Sequence, residues 1–158
     1  MKIAIDRQTL CDAVAHVSRA VSTKSTIPAL EGIMLMAEGE KLTMVAYNLE
    51  IGMTKVLAAR VEEPGEVILN AKLFGDIVRR LPGDMVSLTV DERLMCQITS
   101  GSAKFDILGI STAEFPEMPS LTESQALVLP GEVLQGMVRQ TIFAVAQNDA
   151  KPVHTGIL

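Results

Sequence analysis

The chain has 158 residues, a length that suits one ordinary domain or one domain with part of another. Hydrophobic residues make up 48%, yet no apolar run approaches the roughly 18 residues that span a bilayer, so a membrane-spanning or disordered chain is excluded. The formal net charge of -5 argues against a protein that binds nucleic acid with its whole surface, because such proteins are strongly basic. Cys11 and Cys96 stand alone and no secretory leader is recognisable, which predicts a cytoplasmic protein with reduced thiols.

The first part of the chain predicts one strand, one helix and three further strands. Ile3 and Ile5 alternate as in a strand, and Asp6 can cap a helix over about 7–20. The apolar residues of that helix recur three and four positions apart, which gives it one buried face: Leu10, Ala13, Val14 and Val17. Three strand-like runs follow, at 30–37, 42–47 and 51–58.

The same order of elements follows once more. Asn70 can cap a second helix over about 71–81. Strands are predicted at 67–69 before this helix, and around 86–90, 94–98 and 105–107 after it. Residues 110–124 lack a sustained period and contain Pro116 and Pro119, so we predict a linker there and a domain boundary near residue 120.

Internal repeats account for this order. A shift of 64 positions places the first strand and helix on the second, for example Leu10 on Phe74. A shift of 124 positions places Leu10 on Leu134 and Gly32 on Gly156 without a gap, which predicts a third helix over about 131–144. We therefore expect a first domain over residues 1–120 and the opening part of a second over 121–158, truncated within a strand, and a natural gene product longer than this chain.

The third copy also predicts particular residues. Leu127 and Leu129 repeat the first strand, and His154 falls in the final strand. The apolar residues of this tail need a partner surface, so we expect it to pair with another copy or with an open sheet edge of its own first domain.

Sequence motifs for catalysis are absent. The chain contains no GxGxxG, GxxxxGK[ST], GxSxG, HExxH or CxxC motif, which predicts a protein without enzymatic activity, cofactor or metal. His16 and His154 have no second ligand at metal-binding spacing and are interpreted as surface or interface histidines.

The charges are segregated by element. The second helix carries Lys72, Arg79 and Arg80 against Asp76, a net of +2. Residues 31–66 carry seven glutamates against three basic residues, a net of -4. If the helices share one face of the sheets, that face is positive and suits contact with phosphate, although solvated helix faces would explain the same spacing.

Several runs of sequence, taken in order, resemble one bacterial protein family. They include Thr26-Ile27-Pro28-Ala29-Leu30-Glu31-Gly32, Asn48-Leu49-Glu50-Ile51, Phe74-Gly75-Asp76-Ile77-Val78-Arg79-Arg80-Leu81-Pro82 and Glu114-Phe115-Pro116. Together they resemble the DNA polymerase III beta subunit, the sliding clamp. The resemblance implies an α+β clamp domain built from two strand-helix-three-strand repeats, with helices on one face of antiparallel sheets.

Site residues follow from the resemblance, position by position. It implies DNA-facing roles for Lys24 after the first helix, for Lys72 and Arg80 on the second, and for Asn148 and Lys151 after the third. Pro152 and Val153 replace aromatic residues of some members, so no base stacking is implied there. Phe105 and Ile107 match the edge where subunits of the ring meet.

The resemblance also implies partners and a function. They are duplex DNA, held by encirclement without sequence specificity; DNA polymerase III and clamp loader subunits, whose cleft lies mostly beyond Leu158; and a second copy in a homodimeric ring. The implied function is that of a processivity factor in DNA replication, in the cytoplasm. The alternative is a protein-interaction module unrelated to DNA, which would scatter its basic residues instead of grouping them on a helical face.

Overall fold

The computed structural model describes residues 1–119, 128–148 and 151–158. The chain divides into two compact units, Met1–Pro119 and Ser120–Leu158. The predicted boundary near residue 120 and the expected strand residue Leu127 lie outside the described residues.

The first unit contains two copies of the predicted repeat. The first copy comprises β1 (Lys2–Asp6), α1 (Arg7–Val17), β2 (Gly32–Glu38), β3 (Lys41–Tyr47), β4 (Gly52–Ala58) and β5 (Arg60–Glu63). The second comprises β6 (Gly65–Asn70), α2 (Ala71–Arg80), β7 (Met85–Val90), β8 (Met95–Ser100) and β9 (Ala103–Leu108). The strand β5 was not predicted, because its alternation is masked by charged residues on both sides of Val61.

Both predicted caps form in the structure. The Asp6 carboxylate accepts a hydrogen bond from the Thr9 backbone N–H at 2.7 Å, and the Asn70 side-chain oxygen accepts one from the Leu73 N–H at 3.0 Å. Each bond satisfies an amide that the first turn of a helix leaves without a partner. Helices α1 and α2 therefore begin at equivalent positions of the two repeats.

The strands form two antiparallel sheets, and the two repeats exchange their first strands. One sheet has the order β5-β1-β7-β8-β9, and the other has the order β4-β3-β2-β6. Ile5 of β1 pairs with Val86 of the second repeat, and the equivalent Leu69 of β6 pairs with Ile33 of the first. Neither repeat can complete its sheet without the other, so residues 1–119 fold as one unit.

A single core fills the space between the sheets and the helices. Helix α1 contacts α2, β3 and β4, and α2 contacts β2 and β6. The core includes Leu10 and Val14 of α1, Phe74 of α2 and the inward-facing side chains of both sheets. The outward-facing residues of β2 and β3 are thus on the sheet face opposite the helices.

The segment after β9 is not the free linker that the prolines predict. Ile110 exchanges two backbone hydrogen bonds with Ile68, at 2.9 and 3.0 Å, and Thr112–Glu114 form a 3-10 turn. The Thr112 hydroxyl contacts the Glu66 carboxylate, and the Met118 sulfur packs against Gly52. Residues 110–118, named the strap here, therefore lie across the outer face of the four-stranded sheet.

The second unit repeats the first at the predicted shift of 124. Helix α3 (Gly131–Thr141) and the 3-10 turns Ile142–Ala144 and Pro152–Thr155 match α1 and the turns Ser18–Ala20 and Pro28–Glu31 residue for residue. The expected strand at the end is wrong for the described residues, since His154 lies in the last 3-10 turn and 156–158 form no strand. A strand forms only when a second strand pairs with it along its length, and no such ladder is recorded for 151–158 within the described part of the chain.

Candidate nucleic-acid interface

A groove of about 480 Å³ separates the N-terminal part of α2 from the loop that follows α1. Its lining includes Lys72 and Arg79 from α2, and the hydroxyl residues Ser18, Ser22 and Thr23 from the loop. Helix α2 buries Phe74 and Val78, so Lys72 and Arg79 point away from the core. The groove thus combines two cations and several hydroxyl groups, which are the groups that bind phosphate oxygens, with one carboxylate, that of Glu31.

The loop carrying Lys24 has a defined conformation. The Ser22 N–H donates to the Leu30 carbonyl at 3.0 Å, and the Ser22 hydroxyl donates to the Lys24 carbonyl at 3.2 Å. The Ser25 N–H donates to the Glu31 carboxylate at 3.2 Å. These bonds hold both ends of the loop, and the Lys24 side chain is exposed beside the residues that line the groove.

The helical face has an excess of positive charge. Residues 18–31 and 70–80 contain five cations and two anions, which gives a net charge of +3. The cations are Arg19, Lys24, Lys72, Arg79 and Arg80, and the anions are Glu31 and Asp76. All five cations are exposed, and one ion pair, between Arg79 and Asp76, joins members of this set.

Two of these cations were missed as site residues. The sequence predicts no site role for Arg79, which adds to the charge of α2, or for Arg19, which is exposed in the 3-10 turn before the loop. Helical spacing could have found Arg79, because it lies seven positions after Lys72 and therefore on the same helix face. Nothing in the sequence pattern points to Arg19, whose position depends on the 3-10 turn.

The second unit contains an equivalent loop. The Ala146 N–H donates to the His154 carbonyl at 2.9 Å, as the Ser22 N–H does to Leu30 in the first unit. A shift of 124 places Lys24 on Asn148, so both predicted residues occupy the same position of the same loop. Lys151 precedes the second unit's 3-10 turn at Pro152 and is exposed.

Phe105 and Ile107 both lie on β9, the edge strand of the five-stranded sheet. Phe105 is 40% exposed, whereas Ile107 is 7% exposed and belongs to the core. A partner strand could add to this edge through backbone hydrogen bonds, with Phe105 as the accessible side chain. The Ile107 side chain is packed in the core and is not accessible for direct contact.

The possible metal ligands and the cysteines are a further class of candidate site residues. No group of three or more His, Cys, Asp or Glu side chains is placed to hold a metal within 1–119, 128–148 and 151–158. Burial raises the pKa of the Cys96 thiol to about 12, which keeps it protonated and unreactive at neutral pH. In the same part of the chain, no helix is long and apolar enough to cross a membrane.

Comparison with known proteins decides the family. The family model of the DNA polymerase III beta subunit, N-terminal domain, matches residues 1–119, which is the whole first unit. The chain belongs to this family. The match covers both repeats and every helical cation described above.

Relatives extend the likeness along the rest of the chain. The beta sliding clamp of Halalkalibacterium halodurans is 34% identical over 99% of this chain, and that of Bacillus subtilis is 31% identical over 99%. These matches cover 43% and 44% of the two relatives, so the chain spans less than half of their length.

Solved structures show the same fold. The DNA polymerase sliding clamp of Bacillus subtilis superposes with a TM-score of 0.92 at 30% identity, over 97% of this chain and 42% of that one. The DNA polymerase sliding clamp of Caulobacter crescentus gives a TM-score of 0.88 at 30% identity, over 95% of this chain and 41% of that one. The predicted α+β clamp domain is confirmed.

Proposed function

We propose that this chain supplies the first domain and the start of the second domain of a sliding clamp, a processivity factor for DNA replication. In the complete ring, two copies encircle duplex DNA and tether DNA polymerase III after a clamp loader has placed them. The clamp is a non-catalytic, cytoplasmic accessory subunit that needs no cofactor. The observation that carries the proposal is the positive helical face, where Lys72 and Arg79 line one groove and Lys24 and Arg80 are exposed on the loop and the helix that form it.

The mechanism follows from the small number of cations. A closed ring retains DNA because it encircles it, so its inner face needs only weak contacts that exchange as the ring slides. Lys24, Lys72 and Arg80 would contact phosphates from the first unit, and Asn148 and Lys151 from the second. Phosphate contacts carry no sequence information and release counterions, so binding is non-specific and weakens steeply with salt.

The acidic total charge is compatible with this mechanism. Residues 32–66, which form β2 to β5, the start of β6 and the turns between them, carry six glutamates against three basic residues, a net of -3. Cations concentrated on the helices and anions on the sheet orient the domain with its helices toward DNA. A protein-interaction module unrelated to DNA would scatter its basic residues instead of grouping them on a helical face.

An NMR titration tests the proposal. The ¹⁵N-labelled chain is mixed at low salt with two 12-base-pair duplexes of unrelated sequence. We expect both duplexes to shift the amides of residues 19–24 and 71–80, and Lys72→Glu with Arg80→Glu to reduce the shifts at least fivefold. The matched control is Lys41→Glu with Lys104→Glu, which reverses two exposed charges on the sheets and should leave the shifts unchanged. Shifts confined to the sheets, or different shifts with the two duplexes, would contradict the proposal.

A further inference from the structure

The outer face of the four-stranded sheet carries an apolar groove of about 310 Å³ between the strands and the strap. Its apolar lining consists of Met34, Met36, Val45, Phe115, Pro116 and Met118. Met34 and Met36 are half-buried and Met118 is 37% exposed, so the groove is open to solvent. Methionine side chains are flexible and polarisable, and they adapt to apolar groups of different shape.

Strand register extends this groove into an acidic region. Met34 pairs with Val45, Met36 with Thr43 and Glu38 with Lys41, so these three rows follow one another along the outer face of β2 and β3. A second groove, of about 380 Å³, begins at Met36 and reaches the turn at Gly39. Glu38, Glu40, Lys41 and Thr43 line it. The apolar and acidic grooves therefore share Met36 and form one continuous track.

The charge along the track is negative. Glu38, Glu40, Glu66 and Glu117 lie along it against Lys41, which gives a net of -3. Among the residues that the structure describes, no ion pair neutralises any of these four glutamates. Glu66 contacts the Thr112 hydroxyl, which leaves its charge in place. A ligand that places cations here gains electrostatic attraction, and an acidic ligand is repelled.

The track is separate from the DNA-facing surface. Leu35, Leu42 and Met44 point into the core beneath α1 and α2, so their neighbours Met34, Met36 and Val45 face the other way. A partner on this track would not compete with DNA on the helices.

We propose that this track is a docking site for a short extended peptide of a partner protein, with an apolar side chain followed by lysine or arginine. The apolar side chain enters the groove under Phe115 and Met118, and the basic residue lies near Glu38 and Glu40. The spacing of the rows along the strands, about 6.8 Å for every second residue, matches the spacing of alternate side chains in an extended peptide.

A synthetic probe tests this assignment directly. A fluorescein-labelled peptide, Lys-Arg-Leu-Phe-Lys-Arg, is titrated with the full chain and followed by anisotropy, with Glu-Glu-Leu-Phe-Glu-Glu and Lys-Arg-Gly-Gly-Lys-Arg as controls. We expect saturable binding of the first peptide, with a Kd between about 10⁻⁵ and 10⁻³ M, and at least tenfold weaker binding of both controls. Equal binding of the acidic peptide, or no saturable binding of the first peptide, would overturn the proposal.

Variants locate the site. The double variant Glu38→Lys with Glu117→Lys should raise the Kd of the first peptide at least tenfold. Met36→Gln should raise it about threefold or more. The matched controls on the other sheet, Glu63→Lys with Glu92→Lys and Met85→Gln, change exposed residues of the same types and should leave the affinity unchanged. Thermal unfolding confirms that each variant is folded. A peptide Kd that is unchanged in the track variants would overturn the proposal. So would self-association of the chain, seen by light scattering, that Met36→Gln abolishes.

Discussion

Helices α2 and α3 have equivalent places in the repeat but opposite surroundings. The repeat shifts of 64 and 124 positions place Leu10 of α1 on Phe74 of α2 and on Leu134 of α3, so Phe74 and Leu134 are equivalent. Phe74 is fully buried, whereas Leu134 is 52% exposed. Val78 and Val138 differ in the same way, at 0% and 39% exposed. An apolar stripe therefore specifies a helix, whereas burial of that stripe depends on strands supplied by a second repeat.

Phe74→Ala should give the largest effect. Removing a fully buried aromatic ring leaves a cavity, so we expect the free energy of unfolding of residues 1–119 to fall by about 3–5 kcal/mol. Leu134→Ala should change it by less than about 0.5 kcal/mol, because its side chain fills no packed space. Urea unfolding followed by circular dichroism measures both free energies. An equal loss of stability in the two variants would show that Phe74 and Leu134 do not differ in packing.

Gly32→Ala should have the next largest effect. A methyl group at Gly32 would overlap the side chain of Ile68 and lie 3.0 Å from the Leu69 carbonyl oxygen. Overpacking of this kind costs about 1–3 kcal/mol. At the repeat equivalent, Gly156, no atom of the described residues lies within 4 Å of the added methyl group, so Gly156→Ala is the matched control. If Gly32→Ala unfolds at the same urea concentration as the parent protein, β2 and β6 move apart at little cost in free energy, and this prediction is wrong.

The contrast between the two units also shows what the sequence could predict. Caps at Asp6 and Asn70, helical periodicity and the 64-residue shift are local signals, and each predicted element of the first unit formed. The strap and β5 could not be predicted, because their positions depend on pairing with distant strands at Ile68 and Ile3. Lys24 and Lys72 were found from the family resemblance, whereas the groove that Lys72 lines, beside the loop carrying Lys24, is a product of tertiary packing.

Ending the chain at Pro119 removes α3 and should reduce self-association of the protein. The second unit exposes Leu134, Ile142 and Phe143, so the full chain should associate more than the shortened one in light scattering. The free energy of unfolding of the first unit should stay within about 0.5 kcal/mol, since both repeats remain. If both chains are monomeric and equally soluble, the tail is not an unpartnered surface.

A change of pH should give the smallest effect. Hydrogen bonds from the Thr9 side chain and backbone lower the pKa of Asp6. A lowered folded-state pKa stabilises the protein above the unfolded pKa, about 3.9, and the gain is lost as pH falls through the folded value. Asp6→Asn keeps the capping oxygen without the charge, so its Tm deficit relative to the parent should shrink as pH falls from 6 to 3. A deficit that grows on acidification would contradict this assignment.

The most direct test of the account is the affinity of the chain for linear duplex DNA at two salt concentrations. If retention on DNA comes from encirclement, this chain should bind with a Kd of about 10⁻⁴ M or weaker at physiological salt, and more tightly at low salt. Fluorescence anisotropy with a labelled 20-base-pair duplex measures both values, and Lys72→Glu with Arg80→Glu should reduce the salt dependence. Tight binding that is insensitive to salt would contradict the account.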